Sequence, residues 1–265
     1  MASLAGVVAP LSARAGAFAP GEVSIEVPVY APSARIDAAD ERWRYRFKWS
    51  GLPVGEATIT ARRLGEAGSQ RIGIELEGRT NAVIDLLWKY RLDARGTIRV
   101  EPFGPGTYFA TESERGTEKL TRIEFGPDER VRTFRRKGER EQSFEFESAG
   151  TLDMLATVVL TLNLDYEVGQ VLLFDTLTGT ARYLVEVTIA EREPIDVLGR
   201  RVDAYRLGIA TSELTDPDEE HKHRSTDLWV SATRPRRLLR ARSKTFVGAI
   251  YAELAAIETV AGQGN

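Results

Sequence analysis

Glu41-Arg42-Trp43-Arg44-Tyr45-Arg46-Phe47-Lys48-Trp49-Ser50 is the stretch that decides the fold. A β-strand sends successive side chains to opposite faces. At that period Trp43, Tyr45, Phe47 and Trp49 share one face, and Arg42, Arg44, Arg46 and Lys48 share the other. Helical spacing would scatter both sets, so the segment is a strand with an aromatic and a cationic side. Gly51-Leu52-Pro53 turns the chain, and Val54–Leu64 returns as a second strand.

Moving toward the C-terminus, 69–79 reads as a third strand with Ile72, Ile74 and Leu76 on one face. Asn81–Trp88 is an apolar stretch of one helical turn, after which β structure resumes over Lys89–Arg95 and Thr97–Glu101. Gly104-Pro105-Gly106 is expected to break the chain. Two hairpins follow: Tyr108–Arg115 with Glu118–Phe125 around Gly116, and Arg130–Arg136 with Arg140–Glu147 around Gly138. Each has a polar side, which predicts a sheet with one wet face.

Thr151–Leu162 differs. Leu152, Met154, Leu155, Val158, Val159, Leu160 and Leu162 surround a helical wheel, predicting a buried helix with Thr151 as N-cap. Strands recur over Gln170–Thr176, Thr180–Glu191, Arg200–Ile209, Thr226–Ser231, Arg237–Phe246 and Ala249–Glu258, with Leu198-Gly199 as a turn. The expected fold is mainly β: an antiparallel barrel or half-barrel, or a curved sandwich, with one buried helix near 151–162. A single β domain is expected over 37–258, in halves of about 37–150 and 163–258, with 259–265 as a flexible tail.

Toward the N-terminus, 1–19 is small and apolar. Ala13-Arg14-Ala15 and Ala15-Gly16-Ala17 fit a small-x-small signal cleavage site, yet no basic residue precedes Leu4. Residues 1–36 therefore read as a signal-peptide remnant or a disordered arm, with Pro20, Pro28 and Pro32 carrying an extended linker to about Ile36.

With no cysteine, the chain has no disulfide, no thiolate metal site, no cysteine nucleophile and no lipidated cysteine. A net charge of -3 gives no global pull toward nucleic acid. No apolar run approaches the ~20 residues that span a bilayer.

Several stretches together resemble a bacterial family, the domain of unknown function 3108. They are Lys48-Trp49-Ser50-Gly51-Leu52-Pro53-Val54-Gly55-Glu56-Ala57, then Thr151-Leu152-Asp153-Met154, then Arg192-Glu193-Pro194-Ile195 with Leu198-Gly199 and Ala204-Tyr205. The last runs from Asp227-Leu228-Trp229-Val230-Ser231 through Arg234-Pro235-Arg236 to Phe246-Val247-Gly248-Ala249-Ile250. The resemblance covers roughly residues 40–255, with Leu160–Tyr166 departing from its pattern. It implies an exported protein of barrel or half-barrel shape and carries over no catalytic residue. Gly51 and Gly55 also have a reading of their own, bracketing a hairpin where positive φ or close backbone approach is needed.

Candidates for chemistry are few. The two histidines, His221 and His223, sit in one charged loop, where a His-x-His pair is a candidate metal site. The simpler reading is a solvated loop, because Lys222 and Arg224 lie among the ligands. The sequence has no nucleophile elbow and no phosphate-binding glycine loop. Glu75, Glu77, Glu112 and Glu114 read as exposed strand partners for arginine. No cofactor is implied.

Cationic clusters are the stronger feature. Besides the Arg42–Lys48 face, there are Arg130, Arg132, Arg135, Arg136, Lys137 and Arg140, and then Arg234, Arg236, Arg237, Arg240, Arg242 and Lys244. They either recognise anions or pair with glutamates across strands. Two functional expectations follow. The first is a non-catalytic protein of the periplasm or cell envelope that binds a lipid or other anionic amphiphile. Trp43, Tyr45, Phe47 and Trp49 would line its interior, with Arg237, Arg240 and Arg242 at the rim. The second is a structural or interaction protein with a filled core and a basic face docking on an envelope partner or on lipopolysaccharide phosphates. A hydrolase is a distant third; nucleic acid and a transmembrane anchor are not expected.

Overall fold

The computed structural model describes residues 19–33, 36, 40–65, 71–216, 226–244 and 248–260. The first half holds β1 (Glu41–Trp49), β2 (Leu52–Leu64), β3 (Arg71–Thr80), α1 (Ala82–Asp85), β4 (Tyr90–Val100), β5 (Phe103–Glu114), β6 (Thr117–Phe125), β7 (Arg130–Lys137) and β8 (Arg140–Glu147). After the two-residue β9 (Leu152–Asp153) comes α2 (Met154–Asn163). The second half holds β10 (Val171–Thr178), β11 (Ala181–Val197), β12 (Arg200–Glu213), β13 (Thr226–Ser231), β14 (Leu238–Lys244) and β15 (Ala249–Thr259).

Among the described residues all strands join one sheet of 15, in the order β8-β7-β6-β5-β4-β3-β2-β1-β15-β14-β13-β12-β11-β10-β9. Each half is an antiparallel meander, and β1 joins them by pairing with β15 as well as β2. Among the described residues only β9 pairs in parallel, with β10. The sheet does not close by backbone pairing, but side chains bring its two ends together. Thr133 of β7 donates to the Gly179 carbonyl at 2.5 Å, and Arg182 of β11 lies over the Phe146 ring of β8 at 5.5 Å. The molecule is thus a curled half-barrel with a side-chain seam.

The hairpins follow their turn chemistry. Ser50 and Gly51, at φ 47 and 87, form a two-residue turn whose twist matches the flanking strands. Gly55 serves close approach instead: a Cβ there would lie 2.5 Å from the Arg79 carbonyl oxygen.

Three expectations are corrected. Gly104-Pro105-Gly106 does not break the chain but runs inside β5. Pro105 sits at a bulge opposite Ile98, where its missing N–H interrupts no ladder bond, and a Cβ on Gly104 would meet the Arg99 guanidinium at 2.8 Å. The helix begins at Met154, not Thr151. Asp153 caps it, accepting from the Leu155 and Ala156 amides at 2.8 and 3.0 Å, while Leu152 and Asp153 are held in β9. Thirdly, β11 continues past Glu191 to Val197. Pro194 is tolerated because β10 ends its pairing at Thr188, which leaves that flank an edge.

The concave side is filled. Leu155, Ala156 and Leu160 of α2 pack with Ile72, Ile74, Leu76, Leu92, Ile98, Ile123, Val131, Leu172 and Ile189 in the main core. A second cluster joins Tyr45, Leu239 and Leu254 to Trp229, Ala204, Ile195 and Val197. No helix among the described residues is long and apolar enough to cross a membrane.

Candidate functional site

The aromatic face of β1 divides between the two clusters. Tyr45 is buried in the second and Trp43 packs against it, whereas Phe47 packs against the main core. Trp49 is half-buried and pairs with Leu52 and Ile250 across the neighbouring strands. Trp43, Tyr45 and Arg237 do come together, in a knot around Glu41. The Trp43 indole donates to Glu41 at 2.8 Å, and Arg237 donates two bonds to the same carboxylate at 2.9 and 2.6 Å. The Arg237 bond holds the Glu41 carboxyl below its ordinary pKa. Tyr45 donates to the Leu238 carbonyl at 2.9 Å.

The cationic face is largely paired. Strand register aligns Arg79, Glu56, Arg46, Glu253 and Arg240 in one row of mostly alternating charge. Lys48 binds Glu253 at 2.6 Å, Arg44 binds Glu258 at 2.6 Å, and Arg240 lies 3.7 Å from Glu253. Arg242 stacks over Tyr251 at 5.8 Å. Arg236 covers the Tyr166 ring at 4.1 Å and donates to the Leu164 carbonyl just after α2. On β7, Arg130 and Arg132 share Glu145. His221 and His223 lie outside the described residues.

One glutamate reading is corrected. Glu112 is buried, not exposed, and receives a 2.7 Å bond from Lys119, itself buried. Burial pushes its carboxyl above the ordinary range, and Lys119 opposes that. Arg135 is buried beside this pair, and its side chain makes no hydrogen bond or ion pair among the described residues. The space these three line with Tyr108 and Met154 is only about 30 Å³.

A larger cleft, of about 250 Å³, opens at the seam between the sheet ends. Its roof is the extended segment Val27–Tyr30. Its walls are Phe103 and Pro105 of β5, Phe125 and the turn to Arg130, residues 148–152, and Leu160 and Phe174. Pro20–Glu22 form one 3-10 turn, not the extended start that Pro20 was expected to give; from Val23 to Ser33 the chain has no regular structure and lies against the sheet. Tyr30 packs on Phe174 with ring centroids 5.3 Å apart, and its hydroxyl accepts from the Leu173 amide at 3.2 Å. Arg182 donates to the Pro20 and Val23 carbonyls at 2.9 and 2.6 Å, and pairs with Asp175 at 2.6 Å. Asp175 in turn accepts from Thr151. A buried ion pair therefore ties this strap across the seam.

Four charged residues line the cleft: Arg130 and Asp175 are paired elsewhere, Glu129 sits on the turn, and Arg99 stands apart. It makes no ion pair among the described residues, and its Nε is buried without a hydrogen-bond partner. A guanidinium with unmet donors beside aromatic walls suits a carboxylate, phosphate or sulfate carried on an apolar body. The volume lies below the ~300–1,000 Å³ of drug-sized pockets, which limits the ligand, or the part held, to a small group. Sequence reading missed Arg99 because it looks like any polar strand residue. The signal lay in the adjacent glycines, which let backbone and guanidinium approach.

The family model for a protein of unknown function, DUF3108, matches residues 44–255. A comparison with curated proteins finds no match. Among solved structures, a beta-barrel-like protein of domain of unknown function DUF1849 from Brucella abortus aligns at 10% identity and a TM-score of 0.56, covering 85% of this chain and 99% of that one. A Bacteroides fragilis protein with a YmcC-like fold aligns at 8% identity and a TM-score of 0.35, covering 86% of this chain and 100% of that one.

Proposed function

Since the chain belongs to the DUF3108 family, whose activity is unassigned, we propose that it is an exported, non-catalytic binding protein of the cell envelope. Its ligand is a small anionic amphiphile, or the anionic end of a larger one, held in the seam cleft under the Val27–Tyr30 strap. The observation that carries this reading is Arg99, a guanidinium that lines the cleft beside Phe103 and Pro105 and makes no ion pair among the described residues. The filled concave side supports the seam, and not the interior that the aromatic strand suggested, as the ligand's place in this reading. The small-residue N-terminal stretch is the support for export.

Native mass spectrometry with lipid extraction, on protein purified gently from an envelope fraction, tests this. A stoichiometric amphiphile is expected with the unaltered protein, and at least about tenfold less with Arg99→Gln. If both proteins fly as clean apo masses and neither binds added long-chain carboxylates or lysophospholipids saturably, the reading fails. The filled core favours a second reading, an interaction protein whose basic face docks on an envelope partner.

A further inference from the structure

We infer that the connection between β3 and β4, residues 81–89, is a docking tip that inserts apolar side chains into an anionic lipid surface. Val83, Leu86 and Leu87 are 70%, 86% and 66% exposed, and Leu52 on the adjoining β1–β2 turn is 67% exposed. Burial normally removes such side chains from water, and a cluster on one protruding turn marks a contact surface. Asn81 joins the two turns, donating to the Pro53 carbonyl at 2.6 Å through its side chain and to the Val54 carbonyl at 3.0 Å through its backbone.

The protrusion is built, not slack. Asn81 caps α1 by accepting from the Ile84 amide at 3.0 Å. Asp85 accepts from Thr80 at 2.5 Å and pairs with Arg91 at 2.5 Å, which holds its carboxyl down at about 2. Trp88 stacks on Tyr90 with centroids 5.4 Å apart and donates to Glu114 at 3.2 Å. Asn81, Asp85 and Trp88 are thus tied back to the sheet, and Val83, Leu86 and Leu87 are left facing water.

Charge selects the occupant. Lys89 and Arg115 are both exposed, and neither makes an ion pair among the described residues. The Arg115 amide donates to the Lys89 carbonyl at 3.0 Å, so the two side chains flank the tip together. Asp85, the acid of the loop, is already paired with Arg91; Glu118 is the exposed acid that follows on β6. An apolar tip beside unpaired cations matches a bilayer interface with anionic headgroups. A second copy docking tip to tip would instead press like charges together.

Co-sedimentation with vesicles of phosphatidylglycerol and phosphatidylcholine, against phosphatidylcholine alone, tests the inference at low salt. Binding is expected to the anionic vesicles. Leu86→Asp with Leu87→Asp should weaken it at least about tenfold while the thermal melt is unchanged. Lys89→Glu with Arg115→Glu should remove the preference for phosphatidylglycerol. Arg99→Gln should bind vesicles like the unaltered protein, which separates this result from the cleft. No binding to either vesicle overturns the inference, as does equal binding by the leucine variant. So does a dimer that the leucine variant dissociates without any vesicle binding.

Discussion

Lys119 and Glu112 meet at 2.7 Å with each side chain only 6% exposed. Neither charge retains enough water to survive alone, so each is the other's solvent. Lys119→Met should therefore destabilise the protein by about 3–5 kcal/mol in urea unfolding, because it leaves a buried carboxylate unpaired. Adding Glu112→Gln should restore much of that loss. Asp153 poses a different problem, since burial pushes its carboxyl up to about 6 from 3.8 while two amides of α2 hold it. A carboxyl raised on folding takes up its proton more readily in the native state. Its charge therefore penalises folding above pH 6, and the penalty fades as pH falls from 7 toward 4. The shift corresponds to about 3 kcal/mol, and Asp153→Asn, which keeps an acceptor for the cap, should flatten that part of the pH–stability curve. Part of this was legible. Period-two alternation puts Glu112 on the side of Tyr108 and Ala110, which marks it as inward-facing. What alternation cannot show is that Lys119 stands opposite it, because the hairpin register settles that.

At the scale of elements, the strap over β8 and β11 shows how a segment with no more regular structure than one 3-10 turn becomes part of a fold. Arg182 receives its charge partner from β10 and spends its remaining donors on strap carbonyls. Arg182→Met should release residues 19–33, leaving Asp175 buried without its cation. Faster amide exchange at Leu173 and new proteolytic cleavage before Ser33 are the expected signs, and an unchanged exchange pattern would count against the clamp. The prolines announced a segment outside the strands, but not the 3-10 turn at Pro20–Glu22 nor its position on the sheet. Similarly, the sequence marked Gly104-Pro105-Gly106 as special, yet close approach to Arg99 and a bulge, not a chain break, are what those residues serve. Helix α2 was plain from its all-round apolar wheel. Its start was displaced by three residues because pairing of Leu152 and Asp153 with β10 competes with helix.

Over the whole molecule, β1 is the strand on which both meanders depend, since it pairs with β2 on one side and β15 on the other. Unfolding should follow one transition, with tryptophan fluorescence and far-ultraviolet circular dichroism coinciding, and residues 37–150 expressed alone should not give native dispersion. Two separated transitions would mean that the halves are independent. The sequence by itself determined the β class, the β1 strand and its two faces, most hairpin turns and the buried helix, because each is written in local periodicity and turn chemistry. Only the tertiary structure decided that the concave side is filled, that the basic clusters are mostly paired among the described residues, and that a cleft lined by Arg99 opens at the seam. Those features arise where residues far apart in the chain meet, and no local pattern encodes how far a sheet curls before its ends touch.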